Sequence, residues 1–286
     1  MSKALITSRD PKGLQVVRLF EDAYNKAELD DESAQRINER GGEFQNGITE
    51  LIVELSVSNQ FADEEIESSC GYLSGYEKPK GITVQTDRLR ELFPDIGYAD
   101  KKLIEQPFSV KAEGWFAIPK WEKLASTYGE AVQKVLDMIK KTREGKFQNY
   151  REGHLGPEYL RQHAKTARMF QVIADQQRNH DILVVPCQFG ILHRGKSVRR
   201  AREVMNSSEF GLGAFAVGIM LLTHPERLQH HDDLWIDCAG DEYSSEADGS
   251  FESAPGFSFD GGRVGFDAIW FGSAGAGCGS ASAFWQ

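Results

Sequence analysis

Apolar residues recur at helical spacing from Leu14 to Ala27 and again from Thr49 to Leu55, with an acidic stretch and the turn signal Gly41-Gly42 between them. The first third therefore reads as mainly helical. Lys102 to Glu105 and Gly114 to Ile118 are short strand candidates, the second closed by Pro119, which disfavours continued pairing. Val132, Val135, Leu136 and Ile139 fall at i, i+3, i+4 and i+7, predicting a helix from near Tyr128 with Gly145 as C-cap. A second helix is expected to open at Gly156-Pro157 and run toward Gln177, with Leu160, Ala164, Ala167 and Ile173 on one face.

Further on, Asp181 to Phe189 (DILVVPCQF) reads as a buried strand, although Pro186 limits its pairing, and VRRAREVM reads as a helix. Phe210 to Leu222 is 13 residues of apolar chain, short of the roughly 20 that cross a bilayer, and reads as a buried helix. Leu234 to Ile236 is a short strand, and Phe257 to Phe259, the turn Asp260-Gly261-Gly262 and Arg263 to Phe271 form a hairpin. The Gly/Ala/Ser-rich stretch Gly272 to Ala283 leaves open a flexible tail or close packing on another backbone. Phe284-Trp285 favours docking, on the chain itself or on a protein partner. The whole predicts an α+β protein, mainly helical through its N-terminal two-thirds, with a small, largely antiparallel sheet or hairpin toward the C-terminus. One compact domain over 1–286 is expected, with a possible subdivision into 1–125 and 126–286.

Composition changes this picture little: 40% hydrophobic and 27% charged residues support an ordinary core. Met1 to Asp10 lacks an apolar signal segment, so neither secretion nor a membrane is expected, and a cytoplasmic location is. Cysteines at 70, 187, 238 and 278 form no C-x-x-C pair and read as buried free thiols.

Charge changes it more. Residues 1–129 carry 16 basic and 23 acidic side chains, 130–204 carry 15 and 8, and 205–286 carry 2 and 12, within a net charge of −10. A positive belt in an acidic protein calls for an anionic counterpart, internal or external. Its members are Lys140, Lys141, Arg143, Lys146, Arg161, Lys165, Arg168, His193, Arg194, Lys196, Arg199, Arg200 and Arg202. They suit non-covalent binding of RNA, DNA or another phosphate-bearing ligand, with Phe147 and Tyr150 placed to stack on bases or to pack in the core.

Within the belt, Gly190-Ile191-Leu192-His193-Arg194-Gly195-Lys196-Ser197 satisfies G-x-x-x-x-G-K-[ST] between a strand and a helix, and Asp237-Cys238-Ala239-Gly240 follows a strand as D-x-x-G. Here the chain resembles the P-loop NTPases. The resemblance implies amides of Gly190 to Ser197 around phosphate, Lys196 on the outer phosphates, Ser197 and Asp237 on Mg²⁺, the one cofactor considered, and the Gly240 amide on a γ-phosphate. Bulky residues between the glycines, and the lack of N-K-x-D among the 46 residues after Gly240, fit the alternative of a tight turn with its cations paired to the chain's own acids. Under that alternative the protein is a structural or interaction protein. His224, His230, His231, Asp232, Asp233, Asp237, Asp241 and Glu242 cluster without recognised ligand spacing, and no metal or catalytic residue is assigned.

Overall fold

The computed structural model describes residues 7–56 and 59–285. Two compact units partition the chain, Met1–Ser56 and Val57–Gln286.

The first unit contains α1 (Pro11–Lys26), α2 (Asp31–Glu39) and α3 (Gly41–Leu55). Pro11 sits in the first turn of α1, where its missing N–H is not needed. Asp30 caps α2 by accepting the Ser33 amide at 2.7 Å. Neither α1 nor α2 buries a side chain. Gly41-Gly42, expected as a turn, begins α3 instead, since glycine is tolerated at a helix start.

The second unit opens with the irregular segment 59–81 and then α4 (Ile82–Leu92), followed by β1 (Gly114–Pro119), α5 (Tyr128–Thr142), β2 (Phe147–Asn149), β3 (Leu160–Gln162), α6 (Ala164–Gln176) and β4 (Ile182–Gln188). Next come α7 (Val198–Val204), β5 (Glu209–Gly211), α8 (Ala214–Thr223), β6 (Trp235–Asp237), β7 (Asp241–Tyr243), β8 (Ser253–Asp260), β9 (Arg263–Trp270), β10 (Cys278–Ser280) and β11 (Ser282–Phe284). One antiparallel sheet has the order β1-β4-β11-β5. The other runs β10-β6-β8-β7-β3, with β9 also on β8 and β2 on β9; its β10–β6 and β2–β9 pairs are parallel.

Every residue of α8 is buried, as its unbroken apolar run requires. Gly218 lets α5 approach, because a Cβ there would lie 2.5 Å from a Val135 methyl group. Thr127 and Glu130 form a capping box at the start of α5, whose Ala131, Val132, Val135, Leu136 and Ile139 are the buried stripe. Every residue of β4 is buried too; of its residues β11 pairs with Cys187 and Gln188 alone, beyond Pro186, so the missing proline N–H interrupts no ladder on that edge.

The expected small C-terminal sheet is overturned. Among the described residues there are two sheets, of four and seven strands, and four strands already lie within 114–188, β2 and β3 in addition to the two strands expected at 114–118 and 181–189. The N-terminal part is helical as expected, although α2 and the first turns of α3 occupy the acidic stretch that was read as lying between two helices. Three further differences share a cause: Lys101–Glu105 is a 3₁₀ turn, 160–162 is strand where a helix was expected to have begun, and 278–284 adds a strand to each sheet. Segments of three to five residues are too short to show a period, and their neighbours in space decide their state.

Candidate functional site

The octapeptide 190–197 links β4 to α7, as its sequence suggests, but its amides point at the chain itself. Gly190 and Leu192 donate to the Gln188 carbonyl oxygen Oε1 at 2.5 and 3.4 Å, and Ile191 to the Tyr72 hydroxyl at 3.1 Å. His193 donates to Gly190 O, Gly195 to Cys278 O, Lys196 to His193 O and Ser197 to Glu64 O. Each motif glycine answers to close backbone packing. Gly190 has φ +128° and a Cβ on it would stand 2.6 Å from Gly279 O, while one on Gly195, at φ +76°, would stand 2.2 Å from Ile66 O. Gly240 is held likewise against Gly211 O and Gly213 N, each 2.4 Å from where a Cβ would sit. The Ser197 hydroxyl accepts the Arg200 amide as N-cap of α7 and donates to Glu64 Oε2 at 2.7 Å.

The cations that follow are engaged within the fold. Lys196 pairs with Glu65 at 2.7 Å, and Arg200 with Glu65 and Glu203 at 2.9 Å each. Arg199 binds both carboxylate oxygens of Glu64 and lies against the rings of Phe61, Trp270 and Phe271. Arg202 donates to the carbonyls of Ala239 and Asp241 at 2.8 and 2.6 Å, and burial lowers its pKa. Arg194 reaches Cys70 O, Lys165 reaches Asn206 O, and Arg143 reaches Leu228 O and Pro225 O. Arg161 pairs with Glu242 at 2.7 Å and covers the ring of Phe251. His193 is buried against Glu209, Nε2 to Oε1 2.6 Å, and Ser282 donates to that same oxygen. His193 and Ser282 hydrogen bonds hold the Glu209 carboxyl below its usual pKa despite burial, which acts in the opposite direction. Lys140, Lys141, Lys146 and Arg168 are exposed.

The sequence left Lys196, Arg199, Arg200 and Arg202 facing solvent or paired with the acidic C-terminal third; Arg202 does meet that third, at Ala239 and Asp241, whereas Glu64 and Glu65 come from the irregular segment 59–81. An acidic loop without periodicity gives no signal of what it will meet. The same segment supplies Tyr72 and Tyr76, whose hydroxyls donate to Glu113 at 2.5 and 2.8 Å, beside the fully buried Arg227, whose guanidinium lies 3.7 Å from the Tyr72 ring centre. That group too was missed.

Asp237 is buried in β6, its Oδ2 has no hydrogen-bond partner, and burial alone pushes its pKa up to about 7. Neither Lys196 nor Ser197 bonds to it among the described residues. Asp241, also raised to about 7 by burial, accepts the Tyr128 hydroxyl at 2.8 and 2.9 Å and the Ala214 amide at 2.7 Å. Asp241 therefore serves the N-terminus of α8. Above it opens a cavity of about 230 Å³ walled by Trp121, Tyr128, Phe170 and Phe215 with Gln162 and Lys120 at hand. Burial pushes the Cys187 and Cys238 thiols well above their usual pKa, the inert state expected of buried cysteines.

The His/Asp cluster resolves into separate roles. His224 is buried, accepting the Lys80 amide on Nε2 at 2.9 Å, and burial lowers its pKa to about 4. Asp233 is a buried acceptor for backbone amides. Among the described residues, His230, His231 and Asp232 converge, on the surface.

Trp285 donates its amide to Ser208 O at 2.7 Å and Phe284 is buried, so the aromatic end docks within its own unit. No helix among the described residues is long and apolar enough to cross a membrane. Comparisons with protein-family models, with curated proteins and with solved structures return no match.

Proposed function

We propose that the protein is a non-catalytic interaction protein. Its body, 59–285, compensates most of its positive belt with its own carboxylates and carbonyls, and its N-terminal helices associate with a second copy of the chain. The observation that carries this reading is the uncovered apolar surface of the first unit: α1 and α2 bury no side chain, and Leu19, Phe44, Leu51 and Leu55 are 67%, 45%, 47% and 78% exposed. On α3, Phe44, Ile48, Leu51, Ile52 and Leu55 follow at i, i+4, i+7, i+8 and i+11, one continuous stripe. Helices of this length are marginal in water without a covered face, and a second copy brings an identical stripe that a two-fold axis can close.

Sedimentation velocity of the untagged full-length protein over a hundredfold range of concentration tests this. The expected result is a concentration-dependent dimer that the double substitution Leu51→Glu, Ile52→Glu converts to monomer while the near-ultraviolet circular dichroism of the body persists. A wild-type chain that stays monomeric throughout overturns the reading. The polyanion reading rests on the exposed Lys140, Lys141, Lys146 and Arg168, and nucleic-acid titration separates it.

A further inference from the structure

We propose that the turn His230-His231-Asp232 binds one divalent transition-metal ion of the zinc class, ligated by both imidazoles and the Asp232 carboxylate, with its remaining positions open to water. The proposal is independent of the self-association reading. One ligand atom from each of the three side chains lies within 4.8 Å of the others. His231 Nε2 is 3.1 Å from Asp232 Oδ1, and His230 Nδ1 is 3.8 Å from Asp232 Oδ2. Ligands about 2.0–2.2 Å from a tetrahedral ion stand roughly 3.4 Å apart, so small side-chain rotations close the site. The two rings already lie side by side, centroids 4.7 Å apart and 35° between planes.

The turn is held from beneath. Asp233, 1% exposed, accepts the amides of Gln229 and His230 on Oδ2 at 2.8 Å each and those of Leu73 and Ser74 on Oδ1 at 2.7 and 3.1 Å; the Ser74 hydroxyl bonds it as well. This anchors the ligand backbone to segment 59–81 before any ion arrives, which lowers the ordering cost of binding. The ligand side chains are 50%, 67% and 60% exposed, so the ion needs no entry path.

The donor set fixes the class of ion. Imidazole suits zinc, nickel and copper, whereas magnesium and calcium take oxygen ligands. His230 Nδ1 now accepts the Asp232 amide hydrogen at 3.1 Å, and an ion bound through that nitrogen displaces the contact. Binding therefore has a local signature at the Asp232 amide.

Isothermal titration of untagged full-length protein with Zn²⁺, with Mg²⁺ as control, together with amide chemical-shift mapping, tests the site. Expected are one Zn²⁺ per chain, no Mg²⁺ response, shifts centred on 230–233, and a loss of about tenfold or more in affinity for His231→Ala and for Asp232→Asn, both surface changes that leave the core intact. The Co²⁺-loaded protein is expected to lack a thiolate charge-transfer band, distinguishing this turn from Cys70 and Cys278. Absence of Zn²⁺ binding, a thiolate band, or binding undiminished in the His231→Ala, Asp232→Asn double variant overturns the proposal.

Discussion

Asp237 shows how one buried side chain can govern the response to pH. Its carboxyl titrates near 7 in the folded protein and near 3.8 when ordinary, so between these values the folded chain holds a proton that the unfolded chain releases. Stability contributed by Asp237 is therefore full below about pH 4 and falls as pH rises toward 7, by roughly 2–4 kcal/mol. Asp241 acts in the same direction through the same cause. His224 acts oppositely: burial holds it neutral to about pH 4, so acidification from 6.5 favours the unfolded chain, which takes up the proton first. Asp237→Asn replaces the ionisable group with a neutral one of the same shape. The variant is expected to gain stability over wild type at pH 8 and to gain much less at pH 5, read from urea unfolding at the two values. An equal difference at both contradicts a buried, unpaired carboxyl.

Among elements, the contact between segment 59–81 and the start of α7 sets the character of the body. Ile66 donates its amide to Gly195 O at 2.9 Å, Ser197 donates to Glu64 O at 3.0 Å, and the side chains of Glu64 and Glu65 take Arg199, Lys196 and Arg200. Arg200→Ala is expected to speed hydrogen exchange at the Ile66 and Ser197 amides about tenfold, near 1.4 kcal/mol of local protection, with β4 unaffected. Unchanged exchange at Ile66 means that the ion pairs do not fasten the segment. At this scale the sequence was legible where a period could run: α1, α5, α8, β4 and the β8–β9 hairpin follow from spacing and turn residues. It was illegible where pairing is non-local. The three-residue strands β2, β3, β10 and β11 have too few positions to show alternation, and their partners lie far away in the chain, as Ser282 opposite both Gln188 and Gly211 shows. In the octapeptide, glycines that meet the backbone of Ile66 and Gly279 have the same spacing as glycines required by phosphate, and spacing alone does not separate the two.

For the whole molecule, the cations segregated in sequence are largely hydrogen-bonded within the fold, some to carboxylates and some to carbonyls. Most cations of 143–202 meet carboxylates or carbonyls from segments 59–81, 203–242 and beyond, which the sequence announced only as an imbalance between thirds. Apolar side chains of the N-terminal helices and Lys140, Lys141 and Lys146 at and beyond the end of α5 are exposed. The most direct measurement of this account is a fluorescence-anisotropy titration of the full-length protein into labelled single-stranded RNA between about 50 and 200 mM salt. We expect no saturable binding and no salt response, because the guanidinium groups of Arg199, Arg200 and Arg202 are held within the fold. Saturable binding that weakens on the order of a thousandfold across that range, whether through those arginines or through the exposed Lys140, Lys141, Lys146 and Arg168, contradicts it.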